Sequence, residues 1–153
     1  MALKQMIMKK ILYMMMAVAL LLFTGCREKD EVQHSIVGEW HFSDEESGQD
    51  IDIYVSFSID FTFEMYQKIG EGAHRYYKGA YEVDRDYVTG TYSDGTPWAS
   101  DYYVSFHEGD MIMKSAQDEG YSITYKREKI PAEVRDHCVV ATKSSEEDTA
   151  AFL

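Results

Sequence analysis

Cysteine is scarce in this chain: Cys26 and Cys138 are the only two among 153 residues. A disulfide framework of the kind that staples small exported domains is therefore excluded. Positive charge is in the minority, with 15 Lys and Arg against 27 Asp and Glu and a net charge of −12. That balance argues against nucleic acid and against anionic lipid headgroups as partners of the protein surface. No apolar run is long enough to span a bilayer. The uncharged, mostly apolar stretch from Ile11 to Phe23 falls short of the roughly 20 residues that a membrane-crossing helix needs. Convincing helical periodicity is absent from Ser35 to Arg127. Metal-ligand spacing such as HExxH, a nucleophile elbow, a phosphate loop and an EF-hand pattern are also missing.

What the N-terminus does contain is a recognisable order of parts. Lys4, Lys9 and Lys10 precede the apolar stretch, as a positive n-region precedes a secretory h-region of about 7–15 residues. Residues 1–25 are thus expected to be a signal peptide. The segment Leu22-Phe23-Thr24-Gly25-Cys26 resembles a bacterial lipobox, with Phe23 where Leu is usual. The resemblance implies cleavage before Cys26 and its lipidation, with acyl chains such as palmitate anchoring the protein to the membrane. Cleavage removes three lysines and no acid, so the charge moves from −12 to −15. Cys138 is then the one cysteine left, and packing alone must hold the exported domain together.

Residues 26–34 read as a tether. Within it, Lys29-Asp30-Glu31 resembles the export signal of surface lipoproteins in some diderm bacteria; the alternative is a plain solvated leash. The expected location is the cell envelope, anchored by lipid to the outer membrane, with surface exposure left open.

From Ser35 onward the pattern alternates in short runs separated by turn residues, which predicts a half-buried antiparallel sheet. Strands are expected near 36–43, 50–58, 61–68, 74–83, 86–93, 98–106, 111–116 and 120–128. A short helix is expected after Pro131, and a Ser/Glu-rich, frayed tail from Lys143 within residues 131–153. The fold class is all-β: eight short antiparallel strands over residues 35–130, which suggest a sandwich or a barrel.

The alternation also predicts pairings. A three-residue loop at Ile59-Asp60-Phe61 would set Phe57 against Phe63 and Val55 against Met65. It would also put Phe61 where glycine is usual, which favours a longer loop. A turn at Asp84-Arg85 would pair Tyr77 with Tyr92 and Gly79 with Gly90, leaving a dent on the inner face. A four-residue loop, His107 to Asp110, would pair Phe106 with Met111 and Val104 with Met113.

The segment "IVGEWHF", Ile36 to Phe42, places Gly38-x-Trp40 on the first strand, as lipocalins do. Together with "YYKGAYEV", "YVTGTYSDGTPW" and "YKREKIP", the span from Ile36 to Pro131 resembles the small lipocalin-like lipoproteins of diderm bacteria. The resemblance implies an eight-stranded up-and-down barrel whose base is closed by Gly38, Trp40 and a basic residue near the last strand, here Arg127. It also matches Ser100-Asp101-Tyr102 loosely to a Thr-Asp-Tyr motif at the closed end.

Such a barrel either fills with side chains or holds one small ligand. The alternation points Tyr77, Tyr81, Tyr92, Tyr102, Tyr121 and Tyr125 inward, with Phe57 and Phe63 on the apolar wall. As a cup, these tyrosines would orient the polar end of a small amphiphilic ligand, with Tyr77, Tyr92 and Tyr102 at the rim. As a solid core, their hydroxyls would emerge at the barrel ends. His34, His41, His74, His107 and His137 read as surface residues, and Asp44-Glu45-Glu46 as a solvated loop. No catalytic set and no cofactor or metal site is expected, so the chain does not read as an enzyme. Two rivals to ligand binding stand. An acidic barrel can capture a basic secreted protein, in the manner of lipoprotein inhibitors of lysozyme. Alternatively, exposed Tyr54, Tyr87 and Tyr103 can stack against a sugar.

Overall fold

The computed structural model describes residues 36–44, 48, 50–141 and 153. The expected signal peptide, Cys26, the tether and Glu45-Glu46 lie outside the described residues. Strands β1 (Gly38–Asp44), β2 (Ile51–Phe57), β3 (Thr62–Ile69), β4 (Arg75–Asp84), β5 (Tyr87–Tyr92), β6 (Tyr102–His107), β7 (Asp110–Ser115) and β8 (Ser122–Arg127) follow one another. Each pairs antiparallel with the next. Pairing of β1 with β8 closes an eight-stranded up-and-down barrel, so these strands leave no long free edge.

The period of two decides which side chains enter. In β2, Ile51, Ile53, Val55 and Phe57 face the interior and are buried. Phe63 and Met65 of β3, Val104 of β6 and Met113 of β7 complete the inner wall and are equally buried. Tight turns gather at one end, the base, where β1 begins. The opposite end carries the connections between β1 and β2, β3 and β4, β5 and β6, and β7 and β8.

The β2–β3 hairpin has the expected register, with Phe57 opposite Phe63 and Val55 opposite Met65. Its loop is no longer than three residues. Phe61 takes the left-handed position at φ 63°, and its N–H donates to the Ser58 oxygen at 3.1 Å. Asp60 fastens the same turn by accepting from the Thr62 N–H and hydroxyl, and the Phe61 ring rests 5.7 Å from Tyr81. These contacts hold a conformation that costs a residue other than glycine about 1–2 kcal/mol.

The β4–β5 hairpin departs from expectation. Its turn is Arg85-Asp86, one residue later than predicted, with Arg85 at φ 62°. Register is therefore displaced by two residues: Gly79 faces Tyr92 and Gly90 faces Tyr81. A displacement by two leaves every side chain on its expected face, so parity could not reveal it. In the β6–β7 hairpin the expected pairs form, but the turn is shorter. His107 pairs with Asp110 around Glu108-Gly109, both at positive φ as a tight two-residue turn requires.

After β8 the chain crosses the outside of the barrel. Helix α1 (Ala132–Asp136) starts behind Pro131, as expected. Five residues cannot sustain a helix alone, so packing holds it. Ile130 and Val134 cover Tyr54 and Tyr66 in a second, small core on the outer face, joined by Tyr76 and Cys138. Arg135 clamps this layer, donating to Glu39 at 2.8 Å and to Glu64 at 3.2 Å with its guanidinium 5.6 Å from the Tyr66 ring centre. A two-residue strand, β9 (Val139–Val140), then runs parallel to the start of β4, an addition that the alternation did not foretell.

Candidate ligand site inside the barrel

The base is built around Trp40. Its side chain is almost fully buried, and its Nε1–H donates to the Ile36 oxygen at 2.7 Å. Arg127, opposite Trp40 in the β1–β8 register, lays its guanidinium 4.5 Å from the indole centre. Gly38 makes this possible. It sits at φ 139°, and a Cβ there would come within 2.9 Å of the Arg127 guanidinium. The Gly-x-Trp pattern and the basic residue thus form one structural unit. Ser100-Asp101-Tyr102, in contrast, lies where β6 begins, at the opposite end from Trp40. There Asp101 accepts from the Tyr87 hydroxyl at 2.8 Å and from the Gln117 amide at 3.2 Å, tying two loops together.

The dent expected at facing glycines is instead two separate contacts, and the one at Gly90 is filled by Trp98. A Cβ on Gly90 would come within 2.1 Å of the Trp98 ring. Trp98 is brought there because its N–H donates to the Gly90 oxygen, folding the β5–β6 connection back along β5. The ring is buried among Phe57, Phe63 and Tyr102. Sequence reasoning assigned Trp98 no role. A large aromatic a few residues beyond a strand glycine was the available signal.

All the tyrosines expected to point inward do so. Tyr77, Tyr81, Tyr92, Tyr102 and Tyr125 are buried and Tyr121 is partly buried against the same core. They divide into two groups. Tyr81 belongs to the base, donating to the Ser58 oxygen at 2.7 Å. Tyr92, Tyr102, Tyr121 and Tyr125 lie close enough that Tyr125 feels the charge the other three would carry. Tyr77 packs against Tyr92 with ring centres 5.8 Å apart, although the two are not opposite in register.

Burial holds these phenols in the neutral form. Desolvation pushes Tyr81 up to about 12 and also raises Tyr102 and Tyr125. The Tyr125 hydroxyl is fully buried without a hydrogen-bond partner among the described residues. No charged side chain is buried among those residues; Gln67 and Ser115 are the buried polar ones. The interior is therefore an apolar core with neutral hydroxyls.

One residue of that core comes from far along the chain. Leu153 is fully buried in the same core, and the Tyr92 hydroxyl donates to its main-chain oxygen at 2.7 Å. This residue was expected within a frayed tail; burial of its side chain and the hydrogen bond account for the difference. Pockets open on the outside of the barrel. One of about 480 Å³ lies over β3, β4 and β5, lined by Thr62, Glu64, Tyr76, Lys78 and Thr91. Another of about 500 Å³ lies beside Glu39, Arg127 and Ile130.

Two expectations about the outer face are corrected. Tyr54 is no exposed stacking platform: it is buried beneath α1 and stacked on His41 at 4.2 Å. Burial and the charge of Asp52 push its hydroxyl up to about 12. Tyr87 and Tyr103 pair with each other at 5.3 Å, leaving Tyr103 exposed. His41 and His74 are not isolated surface histidines either. They share Asp52, at 2.7 Å and 2.9 Å, and His41 also meets Glu128 at 2.9 Å. No group of His, Cys, Asp or Glu with metal-binding geometry occurs among the described residues. The cluster joins β1, β2, the residue before β4 and the chain after β8.

Comparison with protein-family models, with curated proteins and with solved structures found no match. The closed eight-stranded barrel, with Trp40 and Arg127 at its base, is consistent with a lipocalin-like fold.

Proposed function

We propose that this chain is a lipocalin-like lipoprotein of the cell envelope, anchored to the outer membrane through lipidated Cys26, whose barrel binds a small, partly apolar molecule. The observation that carries the binding reading is the interior hydroxyl group of Tyr92, Tyr102, Tyr121 and Tyr125, with the Tyr125 hydroxyl buried and unpaired among the described residues. A buried donor without a partner costs about 1–3 kcal/mol. A ligand oxygen placed there would recover that cost, while Phe57, Phe63, Trp98 and the methionines hold its apolar part. The lipobox-like Leu22 to Cys26 and the charged tether behind it support the anchor and the location.

The test is native mass spectrometry of the protein purified from its own host membrane. A co-purified small molecule is expected, and it should be diminished by Tyr77→Phe combined with Tyr92→Phe in a barrel that still folds. Capture of a basic secreted protein is the second reading. It is favoured by the two pockets of about 480 and 500 Å³ opening on the outer face of an acidic body whose interior is already filled. A stoichiometric cationic protein in the same preparation, with no small molecule, decides for it.

A further inference from the structure

Leu153 occupies a place that differs in kind from the rest of the core. Nearly all the other side chains of the interior belong to barrel strands or to connections such as that of Trp98, with Ile36 just before β1 and Ala141 just after β9 beside them. Leu153 comes from sixty-one positions beyond Tyr92, yet its side chain is fully buried among the inward residues. It presents two features at once: a branched apolar group in the aromatic interior, and an oxygen that accepts the Tyr92 hydroxyl at 2.7 Å. Those are the features of an acyl amphiphile, an apolar chain joined to an acyl oxygen.

The seat is also incompletely used. The Tyr125 hydroxyl, fully buried and within electrostatic reach of Tyr92, has no hydrogen-bond partner among the described residues. An acyl head that is not tied to the main chain can set one acceptor lone pair toward Tyr92 and another toward Tyr125, which the Leu153 oxygen does not do. An acyl chain longer than a leucine side chain buries more apolar surface against Phe63, Tyr77 and Trp98. Exchange thus trades one apolar group for a larger one and gives the Tyr125 hydroxyl a partner.

We infer that Leu153 is a built-in stand-in for the ligand, and that an amphiphile with an apolar chain and an acyl oxygen displaces it and takes over the Tyr92 hydroxyl. The inference rests on the ligand-binding reading above. Its consequence is self-inhibition: the apparent affinity of the barrel is reduced by the fraction of molecules in which Leu153 is seated. A protein of this kind stays closed around its own residue, so its aromatic interior is not left open to water, until an acyl compound of sufficient length arrives.

The purified full-length protein is titrated with cis-parinaric acid and, separately, with its methyl ester, following energy transfer from tryptophan to probe. The acid and ester arms separate a charged from a neutral head. Leu153→Ala is expected to tighten binding of at least one probe by about fivefold or more, because the seat is no longer filled. In the unsubstituted protein, the Leu153 methyl signals should leave their ring-shifted NMR positions as that probe saturates. Equal probe binding by both proteins, with unmoved Leu153 methyls, overturns the displacement and leaves the ligand reading standing. Absence of binding by both folded proteins, for both probes, overturns the ligand reading itself. If Leu153→Ala does not fold, the methyl shifts of the unsubstituted protein decide alone.

Discussion

Trp98 lies so close over Gly90 that a single added carbon on the glycine would come within 2.1 Å of the indole. The pair acts as one packing unit: the glycine is the hole and the tryptophan its filler. Gly90→Ala is expected to destabilise by about 1–3 kcal/mol through overpacking, and Trp98→Ala by about 3–5 kcal/mol through the cavity it leaves. The double substitution should lose less than the sum, because the alanine methyl meets no ring. Urea unfolding of the cycle checks this, and strictly additive losses would refute the coupling.

Trp40 and Arg127 supply a second expectation. Trp40→Ala should cost about 3–5 kcal/mol as a buried aromatic. Arg127→Ala should cost about 1 kcal/mol, the scale of a cation held over an indole near solvent. Gly38→Ala should also destabilise, since the residue needs a positive φ and the guanidinium occupies the space of a side chain. A loss below about 1 kcal/mol for Trp40→Ala in equilibrium unfolding would remove the indole from its place at the barrel base.

The buried phenols predict an alkaline instability. Tyr81, Tyr102 and Tyr125 have folded-state pKa values raised above the ordinary value of 10.0, chiefly by desolvation. Their contribution is fully present below that value and is lost as pH rises from it toward the folded values, about 12 for Tyr81, because the unfolded chain releases those protons first. Melting temperature should therefore fall steeply above about pH 10. Tyr125→Phe should flatten that fall. An unchanged slope in Tyr125→Phe, followed by circular dichroism, would contradict the burial of this hydroxyl.

Arg135 holds α1 to the barrel through Glu39, Glu64 and Tyr66. Arg135 and its two carboxylate partners are about a third exposed, so solvent screening limits the gain, and Arg135→Ala should cost only about 1 kcal/mol globally. The local effect should be larger. Amide exchange in residues 131–138 should accelerate while the inner strands stay protected. Uniform acceleration across the barrel would mean that the helix is integral to the main core.

For the anchor, Cys26→Ser is expected to abolish labelling by a fatty-acid analogue and to leave the protein uncleaved or released. Equal labelling of both forms would end the lipoprotein reading. Replacing Lys29, Asp30 and Glu31 by Ala tests surface display separately, through loss of attack by protease on intact cells.

What the sequence determined by itself is the parity of the strands. A period of two needs no knowledge of neighbours, so Ile51, Val55, Phe57, Phe63, Val104, Met113 and the inward tyrosines could be assigned to the interior from the chain alone. The Gly38-x-Trp40 unit and its basic partner Arg127 came from the resemblance to lipocalins and not from the period. Tertiary structure decided everything that depends on position along a strand or on a distant segment. The β4–β5 register moved by two residues without changing a face, setting Gly79 against Tyr92 and Gly90 against Tyr81. Tyr54 and Tyr66, on the face assigned to solvent, are buried because α1 lies over them. His41 and His74 share Asp52 because β1, β2 and the residue before β4 meet on one outer face. Leu153 reaches Tyr92 inside the barrel by a contact that no local pattern encodes: its burial is fixed by the chamber that residues far from it enclose.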